Sequence, residues 1–183
     1  DIEWLRKQGA KYVTLKTGAY RPSAVAWTMR MASEAKIDYV SFDGAAGGTG
    51  MSPVPMMDEM SIPTVYLESL VLKCAQILKK KGKFVPDLVI AGGFISETQM
   101  FKAIAMSNFG EGPFVKAVLL GRSPLTAVMK ANYFNQLSQE GKLPKAFADR
   151  YGSTPDKFFI MAPELKTEYG ERSKQIPWEA VAL

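Results

Sequence analysis

The stretch DGAAGGTGMSP, residues 43–53, follows directly after the apolar run YVSF, residues 39–42. The run predicts a strand buried on both faces, as in a parallel sheet. Glycines this close together let the backbone approach a ligand and point amide groups at it. The stretch lacks the Lys-Ser or Lys-Thr ending of a nucleotide P-loop, so that kind of site is excluded.

Three similar apolar runs lie elsewhere in the chain, and a helical pattern follows each of the four. The predicted strands cover residues 12–17, 39–44, 88–93 and 117–122. The helices after them begin near Pro22, Pro63, Ser96 and Pro124, and the last one runs to about Gln139. Strand followed by helix, four times over, predicts an α/β fold of βαβ units with a parallel sheet.

The helical spacing of apolar residues predicts which side of each helix packs on the sheet. For the first helix these residues are Val25, Met29 and Ala32. For the second they are Leu67, Leu70, Val71, Cys74, Ile77 and Leu78. For the third they are Ile95, Phe101, Ile104 and Ala105, beginning beside the capping-box pattern of residues 96–99.

The composition excludes several classes of function. The 183 residues include one cysteine and no histidine, which rules out histidine zinc sites, histidine-assisted triads and thiolate-held iron–sulfur clusters within this chain. Cys74 is expected to be a small buried side chain, and the absence of a disulfide fits the cytoplasm. No apolar run is long enough for a membrane span. The net charge is +5, but the lysine run at 79–83 fits a helix end better than a nucleic-acid patch.

The glycine-rich stretch also carries a family resemblance. Residues 47–53, GGTGMSP, resemble the Gly-Gly-Thr-Gly-Ala-Ser-Pro signature of the FMN-binding domain of the glutamate synthase family. That family places a lysine at the end of the preceding strand, matched by Lys16. Its next strand ends in two glycines, matched by Gly92 and Gly93, and its last strand ends in a glycine, matched by Gly121. These landmarks occur in order over roughly residues 11–137.

The resemblance implies strands five to eight of an FMN-type (β/α)8 TIM barrel. Residues 1–140 would be the C-terminal half of this barrel, and residues 141–183 a helical or extended C-terminal extension packed on it. We expect the chain to be a fragment of a longer polypeptide, whose N-terminal half supplies the other strands.

The resemblance also implies the site. The residues that it assigns to FMN are Lys16, Asp43, Gly47, Gly48, Thr49, Gly50, Gly92, Gly93, Gly121 and Arg122. Lys16 is the catalytic candidate, because a lysine there faces the N1 and C2 carbonyl edge of the flavin and stabilises its reduced anion. The phosphate would lie between the loops after the last two strands. Arg21 is a weaker candidate for binding a substrate carboxylate, and no metal site is implied.

The activity implied is reduction of 2-iminoglutarate, a 2-imino acid, by hydride transfer from FMN. The expected partners are a 2-oxo acid substrate, a glutaminase or amine-donor subunit, and ferredoxin or an NAD(P)H-dependent electron donor; a homo-oligomer is also allowed. Ala45 and Ala46 depart from the family's polar residues. This departure leaves two alternatives open: a synthase of an N-substituted glutamate from an amine donor, and a non-catalytic barrel scaffold without flavin.

Overall fold

A computed structural model describes residues 1–18, 21–45, 47, 53–55 and 59–153. The strands are β1 (Thr14–Gly18), β2 (Tyr39–Asp43), β3 (Asp87–Ala91) and β4 (Val115–Leu119). The helices are α1 (Ile2–Lys7), α2 (Pro22–Glu34), α3 (Thr64–Lys80), α4 (Glu97–Met106), α5 (Ser123–Gln139) and α6 (Lys145–Tyr151). The predicted α/β class is confirmed, and each predicted strand and helix is present.

The four strands form one parallel sheet in the order β1-β2-β3-β4. Parallel crossovers are right-handed in nearly all proteins, so consecutive strands laid down in one direction put their helices on the same face. The helices α2 and α3 pack on each other, α3 contacts β3, and α4 contacts β4. This singly wound topology is compatible with half of a β/α barrel.

The core lies between the sheet and the helices. On the helix side of the sheet, Val40 and Phe42 of β2 and Leu88 and Ile90 of β3 are fully buried. The helices cover them with the side chains Val25, Met29, Leu67 and Val71, which are also buried. We call this the outer face of the sheet. Burial of such side chains contributes about 1.5–3 kcal/mol each, so this layer supplies most of the stability of the unit.

The opposite, inner face of the sheet is buried only at its centre. Ser41, Val89 and Ala91 are buried, but the β1 and β4 residues beside them are largely exposed. The prediction that all four strands are buried on both faces is therefore wrong for β1 and β4. Among the described residues, these two strands have no second neighbour in the sheet.

The predicted helix faces hold for α2 and are rotated in α3 and α4. In α2, Val25, Met29 and Ala32 are buried as predicted. In α3 the buried residues are Leu67, Glu68, Val71, Leu72 and Ala75, whereas Ile77 is 45% exposed. In α4, Ala103 is buried, whereas Phe101 is more than 70% exposed, as is Ile95 just before the helix. Apolar residues surround most of α3, so its spacing alone did not determine the side that meets the sheet.

Strand β4 begins two residues earlier than the predicted start at residue 117. Val115 is fully buried, and its amide donates a hydrogen bond of 3.0 Å to Oγ of the buried Ser107. The register with β3 shifts between Leu88 and Val89, which leaves Lys116 without a partner in the ladder. Leu120 and Gly121 continue the apolar run in sequence but lie beyond the strand.

The chain divides into two compact units, Asp1–Gly121 and Arg122–Leu183. The sheet belongs to the first unit, and α5 and α6 belong to the second. Residues 154–183 of the predicted C-terminal extension lie outside the described residues. Within the described part of the chain, no helix combines the length and the apolar character needed to cross a membrane.

Candidate functional site

The carboxyl ends of the four strands meet at one edge of the sheet. Gly18, Asp43, Ala91 and Leu119 form one row of paired residues across β1, β2, β3 and β4. The loops that follow these strands therefore emerge side by side. In parallel α/β proteins, this is the edge where ligands bind.

Lys16 and Asp43 form an ion pair on the inner face at this edge. The Nζ atom of Lys16 lies 3.2 Å from Oδ2 of Asp43. The side chain of Lys16 is 54% exposed, whereas that of Asp43 is only 15% exposed. Lys16 is paired in register with Ser41, two residues before Asp43, so the two charges meet diagonally across neighbouring strands. Both residues were site candidates, but sequence reasoning did not predict their pairing.

Gly47 lies directly against Asp43. Its amide donates a hydrogen bond of 2.9 Å to the carbonyl of Gly44. A Cβ atom at Gly47 would come within 1.9 Å of Oδ1 of Asp43, so a larger residue would displace the carboxylate or the loop. Gly47 thus has a steric reason to be glycine. The other predicted loop residues, Gly48, Thr49 and Gly50, lie outside the described residues.

Three segments of the chain meet in a tight contact among Gly44, Thr64 and Gly92. We call this contact the loop junction. The hydroxyl of Thr64, the first residue of α3, donates a hydrogen bond of 2.7 Å to the carbonyl of Gly92. A Cβ atom on Gly44 would lie 2.4 Å from Oγ1 of Thr64, and one on Gly92 would lie 2.6 Å from the carbonyl oxygen of Gly44. The amide of Gly44 also donates to the carbonyl of Ala91 at 2.8 Å.

The loop junction gives Gly92 two reasons to be glycine. Its φ of 109° lies in the left-handed region that other residues avoid, and its Cα faces the Gly44 backbone. Sequence reasoning assigned Gly92 to the cofactor but missed Thr64 altogether. The only local signal for Thr64 is that it directly follows Pro63, where the helix begins. Many helices begin in this way, so the signal does not distinguish a site residue.

The loop after β3 continues through Gly93 to the start of α4. Gly93 is exposed, with a φ of 77°. The side-chain oxygen of Gln99 accepts hydrogen bonds from the amides of Ile95, at 2.7 Å, and Ser96, at 3.2 Å. The predicted capping box is therefore present. It also means that two amides at the positive end of α4 already have a partner within the helix.

The remaining candidates lie at the ends of β1 and β4. Arg21 precedes α2, is exposed, and accepts a hydrogen bond from Val25 through its carbonyl. Gly121 is exposed, and a Cβ atom there would meet no atom within 4 Å. Arg122 precedes α5, where its carbonyl accepts a hydrogen bond from the amide of Thr126.

A cavity of about 410 Å³ lies on the inner face of the sheet. Its lining includes Lys16, Ser41, Val89 and Ala117, which come from all four strands. The lining also includes Tyr39 and Asp87, the first residues of β2 and β3, so the cavity extends toward the amino ends of the strands and away from the ligand edge. The part of the chain that the structure describes contains no cluster of three metal-ligating side chains.

Comparison with known proteins connects this geometry to a family. The family model described as "Conserved region in glutamate synthase" matches residues 1–127, which hold the sheet and the strand ends at the site. The chain belongs to this glutamate synthase family. The predicted resemblance is confirmed.

Curated relatives with detectable sequence similarity carry the name glutamate synthase. An archaeal-type glutamate synthase [NADPH] of Thermotoga neapolitana is 32% identical over 92 residues, which cover 50% of this chain and 16% of that protein. The protein of the same name from Thermotoga maritima is 36% identical over 76 residues, or 41% of this chain and 14% of that protein. The chain thus matches about a sixth or less of the length of these relatives. No solved structure gives a significant match.

Proposed function

We propose that this chain contributes the flavin-binding edge of an FMN-dependent oxidoreductase of the glutamate synthase type. The reaction would reduce 2-iminoglutarate to glutamate, with a hydride added to C2 and a proton to the nitrogen. The observation that carries this proposal is the position of Lys16. In a member of this family, an exposed lysine stands on the inner face of the sheet, at the edge where glycine-bearing loops emerge.

The residues at this edge fit a flavin mononucleotide. A cationic side chain and small residues at the strand ends together fit a planar ring and its phosphate. When bound, FMN would supply the hydride that reduces the imine. No dinucleotide fingerprint accompanies these glycines, which favours FMN over FAD.

Lys16 would tune the flavin through its charge. Its ammonium group is accessible on the inner face, where it can approach the N1 and C2 carbonyl edge of the ring. A positive charge there favours the reduced, anionic flavin more than the oxidised, neutral flavin. Asp43 offsets part of this charge, because its carboxylate lies 3.2 Å from the lysine ammonium. The ion pair would therefore determine how strongly Lys16 favours the reduced flavin.

The phosphate would bind near the ends of β3 and β4. Gly93 follows the loop junction and Gly121 follows β4, and both are exposed residues without side chains. Gly92 would contribute by fixing the turn rather than by its carbonyl, which Thr64 already occupies. Gln99 occupies the amides of Ile95 and Ser96, so the phosphate would use the glycine backbone and Arg122 instead.

The loop that begins at Gly47 would border the ring and the substrate. In this proposal Gly47, Gly48, Thr49 and Gly50 approach the ligand with backbone groups. Arg21 lies just before α2 and is exposed, so it could pair with a carboxylate of the 2-oxo acid.

The inner face of the sheet would be completed by four further strands. With β1 and β4 lacking second neighbours and the inner sides of both strands exposed, closure into an eight-stranded barrel accounts for both features. We infer that the N-terminal half of the barrel supplies these strands, with residues 141–183 packing outside. The relatives from the two Thermotoga species are named glutamate synthase [NADPH], which favours NADPH as the source of electrons. A glutaminase or amine-donor subunit would supply the nitrogen.

The test begins with the cofactor of the full-length protein. Acid release followed by chromatography should yield FMN, and FAD or no flavin after reconstitution would overturn the assignment. Turnover should then form glutamate from 2-oxoglutarate and ammonium with NADPH. An enzyme that used only an alkylamine in place of ammonium would be a synthase of an N-substituted glutamate.

The Lys16→Met variant should bind FMN but turn over more slowly, with Lys73→Met, on the helix side, as the matched control.

A further inference from the structure

Glu68 is a carboxyl group buried in the helix layer. It lies on α3, and only 3% of the residue is exposed. Its Oε1 atom has no hydrogen-bond partner in the described part of the chain. Glu68 shares the buried side of α3 with Leu67, Val71 and Leu72, all of them apolar. Buried carboxyl groups normally have a partner, so this one calls for a physical explanation.

Among the described residues, no cation forms an ion pair with this carboxyl group. The charged residues on the elements around α3 are exposed, namely Arg30 and Glu34 on α2, Asp87 on β3, and Glu97 and Lys102 on α4, except Asp43 on β2, which pairs with Lys16 on the inner face. Arg30 is paired with Glu34. An unpaired buried carboxylate is costly, so the group keeps its proton to a higher pH than an exposed carboxyl group does. Burial raises the pKa of Glu68 to about 7, and no neighbouring charge contributes to the shift.

The position of Glu68 links it to the loop junction. Residues four apart in a helix lie on the same side, so Glu68 lies one turn below Thr64. Thr64 forms the centre of the loop junction through its hydrogen bond to Gly92 and its close contact with Gly44. Because both residues are in the first two turns of α3, a displacement of Glu68 also moves Thr64.

We propose that Glu68 is a positioning residue, which holds the loop junction closed as a neutral acid and opens it when its proton is lost. A charged carboxylate would be driven toward water, and the start of α3 would move with it. The hydrogen bond from Thr64 to Gly92 would then break, and the loops after β2 and β3 would separate. This inference goes beyond the proposed function, since it concerns the loops themselves and requires no flavin.

Hydrogen exchange at the loop junction tests this directly in the intact protein. The reporters are the amides of Gly44, bonded to Ala91, and Ala45, bonded to Ile62 at 2.9 Å. With a pKa of about 7 in the closed state and the ordinary value of 4.5 in the open state, the opening constant should rise about tenfold between pH 6 and pH 8.5. This rise is measured after correction for the intrinsic pH dependence of exchange.

The Glu68→Gln variant keeps the shape of the side chain and removes its ionisation. Its opening constant at Gly44 and Ala45 should stay constant over the same pH range. The amide of Lys83, which donates to the Leu78 carbonyl at 3.0 Å near the far end of α3, should show no pH response in either protein. An equal response at Lys83 would show that the whole unit opens, and would overturn the proposal.

A second measurement does not depend on the variant folding. Titration of the Glu68 carboxyl by carbon-13 NMR in the unmodified protein should give a midpoint near 7. A midpoint at the ordinary value would overturn the proposal. Neither experiment uses FMN, so failure here leaves the proposed function untouched, and loss of FMN binding would leave this inference untouched.

Discussion

The two faces of the sheet differ in chemistry and in burial. The outer face carries Val40 and Phe42, which are completely buried under the helices. On the inner face of the same strand, Ser41 is buried at the centre, Tyr39 is 40% exposed, and Asp43 pairs with the half-exposed Lys16. Alternate residues of one strand thus serve separate purposes. The outer face stabilises the unit, and the inner face holds the polar groups that a ligand could use.

Truncating one aromatic residue on each face of β2 tests whether the two faces contribute differently to stability. Phe42→Ala should lower the free energy of unfolding by about 3–5 kcal/mol, because Phe42 is fully buried. Tyr39→Ala, three residues away on the inner face, should cost at most about 1 kcal/mol. Denaturant unfolding of both variants gives the two values. Equal losses would mean that something also covers the inner face.

A second prediction concerns the backbone at the ligand edge. Gly92→Ala should lower the free energy of unfolding by about 3 kcal/mol, since it combines an unfavourable φ with a contact of 2.6 Å to the Gly44 carbonyl oxygen. The matched control is Gly112→Ala, which has a similar φ of 93° but no atom within 4 Å. It should cost only about 1–2 kcal/mol from the backbone alone. If both variants lost the same amount, the loop junction would contribute nothing.

The third prediction tests the charge on the inner face in the full-length, flavin-loaded protein. Lys16→Met should lower the flavin reduction potential by on the order of 30 mV, or about 1.4 kcal/mol for two electrons. Loss of the positive charge destabilises mainly the reduced, anionic flavin, so oxidised FMN should remain bound. Spectroscopic redox titration measures the potential, with Lys73→Met on the exposed side of α3 as the control. An unchanged potential in Lys16→Met would show that Lys16 does not face the ring.

The smallest expected effect belongs to the partner of this lysine. Asp43→Asn removes the carboxylate 3.2 Å from the Lys16 ammonium and should raise the potential by on the order of 10 mV, since solvent at the half-exposed Lys16 weakens this ion pair. The Lys16→Met background separates two explanations. If Asp43 acts through Lys16, the rise should disappear there, whereas a rise that persists would mean that Asp43 acts on the flavin directly.

Sequence alone predicted the strands and helices because burial on the outer face follows regular patterns. The apolar runs located β1, β2 and β3 within two residues, and the spacing of Val25, Met29 and Ala32 gave the buried side of α2 correctly. The end of β4 was misplaced because Leu120 extends the apolar run, whereas pairing with β3 ends at Leu119.

The inner face was harder to predict because its contacts join distant parts of the chain. The pairing of Lys16 with Asp43 depends on the register between β1 and β2, which no local pattern specifies. Thr64 acts through a hydrogen bond to a residue 28 positions away. Glu68 was omitted from the predicted stripe because an acidic residue is normally exposed, and only the packed structure shows it buried.

The hydrogen bond between Ala45 and Ile62 has a consequence for how this site can diversify. It closes the base of the segment that runs from residue 46 to residue 61, and the neighbouring loop junction fixes the same point from the other side. Adding residues to a segment with a fixed base costs little free energy, because closure entropy grows only with the logarithm of length. Insertions there, away from Gly47 and its contact with Asp43, would leave the sheet undisturbed. Changes in this segment could therefore alter the substrate specificity while the fold stays the same.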